Sequence, residues 1–557
     1  MPERILVAVA WPYANGSIHI GHAAGCYIPA DIFARFHRLV GNEVLMVSGS
    51  DSHGTPVTLE AEKRGVTPED VFTEYHNEFL ETWKVLGISF DLFTSTHTDN
   101  HQEVTQDIFL KLYNQGYLYT KVMQQPYSEV DGRFLADRYV EGTCPHCDFD
   151  SARGDQCDNC GRTLDPQDLI DIRSRISGDT PIFKETEHFF LKLSAFEEQL
   201  LNWIRPKQHW RPNVKNFSIG YLERGLHDRA ITRDIEWGIP VPISGYENKR
   251  IYVWFEAVIG YLSASIEWAN NIGEPERWKD FWESDQSRAH YFMGKDNIPF
   301  HTIIWPAMLL GYGGLNLPHD VPANEYLNLE GMKLSTSRSW AIWLKDYLDR
   351  YQPDPLRYVI AANMPESSDS DFSWGEYVRR NNDELVATFG NLVHRVLTMS
   401  HRNFDGQIPH PGPLDDLSQA LLEEANQRLA GTASDIRACR FRAALNDNAM
   451  ALAQSANRYL DRKAPWKEVK TDKAAAGTTL WTAISVINCL KIALYPFMPF
   501  TCEKLHHMLG LEGTIHDLGW QWSPEHTTPG TPFDPPTPLF TKLDESVADE
   551  EIERIRQ

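Results

Sequence analysis

At 557 residues the chain has room for about three or four domains of ordinary size, and 42% hydrophobic with 11% aromatic residues supplies them with cores. A formal net charge of −24 excludes attachment to nucleic acid by overall charge, so a folded RNA would need a local basic or stacking surface. The opening MPERILVAVA is too short in its apolar run, and wrongly charged, for an export signal, and no uncharged run reaches membrane-spanning length; a cytoplasmic protein with no membrane partner is expected.

In chain order, RILVAVA reads as a buried strand, WPYANG as a turn, and HAAGCYIPADIFARFHRLVG as an amphipathic helix ended by Gly41. EVLMVSG is a second strand, followed by the polar loop SDSHGTP. Strand–helix–strand at this spacing predicts a parallel α/β sheet. A cysteine-rich insertion follows at 118–225, after which the α/β pattern resumes with RIYVWFEAVIGYL and HYFMGKDNIPFHTIIWPAMLLG. From about 375 successive helical patterns separated by Gly/Pro breaks predict a helical bundle. Within it, TLWTAISVINCLKIALYPFMPF is interrupted by Asn488, Lys491 and two prolines, which favours a buried bundle helix over a membrane span. Residues 523–538, rich in Pro and Thr, read as a wrapped or mobile connection to a mainly acidic tail.

Three motifs carry chemistry. SIHIGH, Ser17 to His22, lies where the first strand's turn meets a helix, a point at which free backbone N–H groups and the helix dipole favour phosphate. His19 and His22, three apart, fall on one side of the opening turn, and Gly21 leaves room for a flat base. Two ordinary surface histidines among 21 are the plain alternative; the strand-to-helix placement favours function. EGMKLSTSRSW sets one lysine, Lys333, among Ser335, Thr336 and Ser337 with Arg338 behind, a mobile phosphate-handling loop. CPHCDFDSARGDQCDNC spaces Cys144, Cys147, Cys157 and Cys160 as Cys-x2-Cys, nine residues, Cys-x2-Cys, the pattern of a tetrahedral four-thiolate Zn2+ site without an open position and therefore structural. Cys26, Cys439, Cys489 and Cys502 scatter and read as reduced core residues.

HIGH after a first strand, paired with a distant KLSTS, resembles the two signatures of class I aminoacyl-tRNA synthetases. WPYANGSIHIGH, GSDSHGTP, ITRDIEWGIPVP, YVWFEAVIGY, GKDNIPFHTIIWPAML and ANRYLDRKAPW, in family order from residue 4 to beyond 500, narrow the resemblance to the methionyl-tRNA synthetases. The resemblance implies a Rossmann-type parallel-sheet catalytic domain in two halves (1–117 and 226–325), a zinc-bearing connective insertion (118–225), a signature-loop and stem-contact region (326–385), and an all-α anticodon-binding bundle with its tail (386–557).

It further implies two steps: methionine and ATP give methionyl-adenylate and pyrophosphate, and methionine then passes to the terminal ribose of methionine tRNA. His19 and His22 would hold the triphosphate, Lys333 the leaving pyrophosphate and Arg233 the region of the α-phosphate. Gly294, Lys295 and Asp296 would lie on the ATP side with Gly21, Ser335, Ser337 and Arg338, and Mg2+ would accompany ATP. Asp51 would meet the α-ammonium, while Tyr13, Trp254, Tyr261, His301 and Trp305 wall the thioether, aromatic rings suiting a polarizable sulfur. Trp11, where the family often has leucine, would alter the pocket rim. Asn391, Arg395 and Trp466 would read the anticodon; the segment from Phe389 to Lys473 carries 12 Lys/Arg against 10 Asp/Glu, relieving the acidity there. The family's loop pattern has a second lysine where this chain has Thr336, which brings no charge; Arg338 or Arg233 is expected to supply it. The insertion is too short for the editing domain of the isoleucine, valine and leucine enzymes, and four cysteines deny the open zinc position that a cysteine enzyme needs. With no further domain after the tail, a monomer is expected.

Overall fold

The computed structural model describes residues 2–556 apart from 158, 161, 163 and 336–338, and of 137 the backbone alone. The expected elements of Thr336, Ser337 and Arg338 therefore lie outside the described residues.

The N-terminal half is built on β1 (Arg4–Val9), whose side chains are almost all buried, as a central parallel strand requires. The chain turns through 10–19, opens a helix at Ile20–His22, passes through a π-helical turn at Ala23–Tyr27 and continues as α1 (Ile28–Leu39). β2 (Glu43–Ser50) pairs with β1. α2 (Pro68–Leu86), opened by a Thr67–Asp70 capping box, leads to β3 (Leu92–Ser95) beside β2. The insertion is carried on a long antiparallel pair, β4 (Leu118–Ser128) with β5 (Ile182–Leu191), and its tip holds a small sheet and the cysteine knuckle. The chain then adds β6 (Ser287–Gly294) on the other side of β1 and β7 (Ala323–Asn324) beyond it. The sheet is five-stranded and all parallel, in the order β7-β6-β1-β2-β3, so its topology reverses at β1. Ligands of such sheets bind outside the C-terminal ends of the strands at that reversal.

A second small sheet, Leu327–Leu329 with Met332–Lys333 and Ser370–Phe372, presents the Lys333 loop, and α3 (Pro353–Ala362) joins it to the bundle. The bundle comprises α4 (Asn391–Asn403), α5 (Asp416–Arg437), α6 (Ala451–Lys463) and α7 (Lys473–Leu494). Among the described residues α7 is the single helix long and apolar enough to cross a membrane, and the bundle buries it throughout. Residues 523–538 wrap the bundle, with the Trp481 indole donating to the Thr527 carbonyl at 2.9 Å. The acidic tail forms α8 (Ser546–Arg556), whose buried Glu551 accepts both Arg350 and Tyr351.

Candidate functional site

A cavity of about 560 Å³ opens at the C-terminal ends of β1 and β6. Of the residues singled out from the sequence, Trp11, Tyr13, Asp51, Trp254, Tyr261, His301, Lys295, Asp296 and Lys333 line it.

Its apolar end is held by hydrogen bonds that orient each ring. His301 Nδ1 bonds the Asn297 carbonyl at 2.9 Å, which leaves Nε2 to accept the Tyr261 hydroxyl at 2.7 Å. Burial lowers His301 to about 4, so it is neutral at pH 7. The Trp254 indole donates to the Tyr13 hydroxyl, and burial, followed by the Asp51 charge, raises the Tyr13 phenol. Trp11 fits because a Cβ at Gly49 or Gly260 would come within 2.4 and 2.7 Å of its ring. Trp305 stands behind this wall: fully buried, it donates to the Tyr291 hydroxyl at 3.1 Å and packs on Trp282. Trp305 is therefore placed behind the cavity wall rather than in its lining, because its helix turns it into the sheet core.

Asp51, at the end of β2, is buried, and its Oδ1 accepts the His53 N–H at 3.3 Å. Burial and then the Glu256 charge raise its carboxyl well above the usual range.

At the polar end, Lys295 lies 3.9 Å and Lys333 5.6 Å from the Tyr326 ring. Lys295 also bonds Glu325 and Asp369, each at 2.8 Å, and Tyr326 donates to Asp296. Gly294 ends β6 immediately before them.

The histidine turn borders an adjoining groove that includes His22 and shares Tyr13 and Arg138 with the cavity. His19 Nδ1 accepts the Gly21 N–H at 3.1 Å, and His22 Nδ1 accepts the His19 N–H at 3.2 Å. Each neutral ring thus keeps its proton on Nε2 as a donor. Burial lowers both, His22 to about 4, and the neighbouring His22 lowers His19 further. The room left by Gly21 is taken by Leu334 and the His19 ring, 2.6 and 2.9 Å from an added Cβ. Ile20 N–H and Ile342 C=O bond at 3.0 Å, and Leu344 N–H meets the Ile18 carbonyl at 2.9 Å. The two distant signatures thus form one structure, with Ser335 bridging to Trp340 at the base of the loop.

The guanidinium of Arg233 lies 3.7 Å from the centre of the Tyr252 ring, donates to the Ala230 and Thr232 carbonyls, and lines a neighbouring cavity that shares Trp254 and Phe300 with the first.

The four insertion cysteines bring their sulfurs within 4.8 Å of one another, with Cys144–Cys160 at 4.0 Å and Cys147–Cys157 at 3.6 Å. Tetrahedral zinc–thiolate bonds of about 2.3 Å place sulfurs about 3.8 Å apart, so the quartet fits such an ion and is too open for disulfides. The Asn159 amide, 3.6 Å from Cys147 Sγ, lowers that thiol to about 7. Cys157, Asn159 and Cys160 also line the cavity, so the knuckle forms its roof.

In the bundle, Arg395 lies on α4, one turn after the exposed Asn391, with its guanidinium 5.5 Å from the Trp466 ring. Trp466 is 40% exposed, so part of its ring faces solvent.

Sequence reasoning missed Phe300, Asn297, Tyr326 and Arg138. The first two stand inside GKDNIPFH, where a helical turn after β6 could have placed them beside His301. Arg138 carries no such signal, because only the folding of the insertion brings it over the cavity.

The family model of class I tRNA synthetases (M) matches residues 5–397, and that of the anticodon binding domain of methionyl tRNA ligase matches 408–556. The chain belongs to the methionyl-tRNA synthetase family. Among curated members, the methionine–tRNA ligase of Thermomicrobium roseum is 54% identical, with 100% of this chain and 99% of that one covered. A Dehalococcoides mccartyi methionine–tRNA ligase is 56% identical over the whole of both chains. The Mycobacterium tuberculosis methionyl-tRNA synthetase in complex with methionyl-adenylate superposes with a TM-score of 0.80 at 27% identity, covering 97% of this chain and 99% of its own. The free-state form of that synthetase gives 0.73.

Proposed function

We propose that this chain is a methionine–tRNA ligase, which activates L-methionine with ATP and passes it to the terminal ribose of elongator and initiator methionine tRNA. The observation that carries the reading is one cavity holding a buried carboxylate, an aromatic cage and two lysines at the switch point of the sheet.

In step one the methionine carboxylate attacks the α-phosphate and pyrophosphate leaves. No covalent enzyme intermediate is needed; in-line placement and cations around the phosphates suffice. Asp51 meets the α-ammonium, since a buried cation needs an anionic partner. Tyr13, Trp254, Tyr261 and His301, with Trp11 at the rim, surround the thioether; a missing methylene costs a competing side chain about 1–3 kcal/mol. The Nε2–H groups of His19 and His22 donate to the triphosphate, while Lys333 and Lys295 oppose its charge beside Gly21, Gly294 and Asp296. Ser335, Thr336, Ser337 and Arg338 form the hydroxyl-rich stretch of sequence that would handle the phosphates. Mg2+ accompanying ATP would offset phosphate charge. Cys144, Cys147, Cys157 and Cys160 would hold Zn2+, which would stiffen the roof. Asn391, Arg395 and Trp466 read the anticodon, bases stacking on such an aromatic plane. The chain acts as a monomer in the cytoplasm.

ATP–pyrophosphate exchange with each amino acid tests this: methionine alone should support it. Exchange with no amino acid, or with cysteine instead, removes the reading.

A further inference from the structure

We propose that Glu256, acting through His53, is a positioning residue for Asp51 and supplies a second negative charge behind the α-ammonium subsite. The inference rests on the methionine-activating reading above.

Glu256 ends the short helix Val253–Glu256, two residues after Trp254 and next to Ala257 and Val258, which line the cavity. It is fully buried. Its Oε1 bonds His53 Nδ1 at 2.9 Å, and its Oε2 is buried without a hydrogen-bond partner among the described residues. A carboxylate so placed is expensive in the absence of a cation.

His53 links this carboxylate to the binding turn. Its backbone N–H donates to Asp51 Oδ1 at 3.3 Å, while its ring is pinned by Glu256 on one side and by His97 Nδ1, 3.3 Å from Nε2, on the other. With Nδ1–H directed to Glu256, Nε2 of a neutral His53 accepts from His97, so one tautomer satisfies both contacts. His97 stacks on Trp237 at 4.9 Å, and the Trp237 indole donates to the Ser52 carbonyl, closing a ring of contacts around Asp51–His53. His53 bonds Glu256 through its ring and Asp51 through its backbone, so the two buried carboxylates stand on either side of one residue and Glu256 opposes ionisation of Asp51. An incoming ammonium relieves that repulsion, whereas a ligand without one meets it in full. The pair therefore selects for the protonated α-amino group and not merely for the thioether.

Two competitive inhibitors of methionine-dependent exchange separate this role from a structural one. Methioninol keeps the ammonium and lacks the carboxylate; 4-(methylthio)butanoate keeps the carboxylate and lacks the ammonium. Glu256→Gln preserves the shape and the bond to His53 but removes the charge. It is expected to raise the inhibition constant of methioninol about tenfold and leave that of 4-(methylthio)butanoate unchanged or lower, with Glu256→Asp recovering part of the methioninol loss. His97→Ala, farther from the cavity, is expected to show the same contrast at smaller size and serves if Glu256→Gln does not fold. Equal weakening of both inhibitors, or a change in neither, overturns the proposal. A wild-type chain without methionine-dependent exchange would instead remove the ligase reading, before any variant is compared.

Discussion

Arg357 and Asp31 form a 2.6 Å salt bridge in which neither side chain has any solvent exposure. Asp31 lies on α1, the helix that continues from the histidine turn, and Arg357 on α3 also donates to the Pro496 and Phe497 carbonyls of the bundle, each at 2.9 Å. One guanidinium thus ties the catalytic sheet to the bundle. Burial alone would raise the Asp31 carboxyl, but Arg35 and Arg357 outweigh it and hold the group at about 2. Replacing Arg357 by Met leaves the buried Asp31 carboxylate with Arg35 as its remaining cation beside the Ser89 hydrogen bonds, and a loss of about 3–5 kcal/mol is expected in urea unfolding. Because the folded-state value lies below the unfolded one, the contribution of Asp31 is complete above about pH 4 and is lost as pH falls through about 2. A loss under 1 kcal/mol on substitution would show that Arg35 suffices.

The buried histidines make a milder acid limit. Burial lowers His22 and His301 to about 4 and His37 and His101 to about 3. Depressed folded-state values mean that the unfolded chain binds protons first, so stability is complete above about pH 6.5 and falls as the solution is acidified toward 4. At pH 5.5 each such histidine should remove about 1.4 kcal/mol relative to pH 7.5. Urea midpoints that do not move between those two values would contradict this.

What was legible in the sequence depended on how locally each feature is determined. The cysteine quartet, the histidine turn and β1 are set by spacing within a few residues, and the chain folds them as expected. The packing partners of Trp305 and Arg233 are not legible in the sequence for one reason. Which face of a helix or hairpin a side chain takes depends on the partner it packs against, and Tyr291 and Tyr252 lie too far along the chain to be paired by pattern. The same holds for the acidic tail, whose composition does not show that Arg350 and Tyr351 hold Glu551.

The knuckle should carry one zinc per chain by metal analysis. Cys147→Ala, or prolonged chelation, should abolish it and expose residues 144–164 to protease while the bundle stays intact. Since Cys157 and Asn159 line the cavity, exchange should fall about 10–100-fold, the usual cost of loosening groups around a site. Full activity in a zinc-free chain would show that the roof is dispensable.

Trp466→Ala should leave methionine activation intact and lower kcat/KM for tRNA, since stacking of one base on an aromatic ring contributes about 1–3 kcal/mol. Equal losses in both assays would place Trp466 in the stability of the bundle rather than at the anticodon.

The altered signature loop sets the last test. Thr336 supplies no charge where the family pattern has its second lysine, and Arg233 and Arg338 are the two arginines considered as replacements. The guanidinium of Arg233 is stacked on Tyr252 and engaged with the Ala230 and Thr232 carbonyls, and it borders the neighbouring cavity, so bringing it to the phosphates would break those contacts. Arg338 follows Thr336 by two residues in the loop itself. Arg338→Ala is therefore expected to slow single-turnover adenylate formation by at least about tenfold, or 1.4 kcal/mol, and Arg233→Ala by less. The reverse order would mean that the hairpin carrying Arg233 rearranges when ATP binds. If neither substitution reaches tenfold, the cations already lining the cavity, Arg138, Lys295 and Lys333, are sufficient for the transition state.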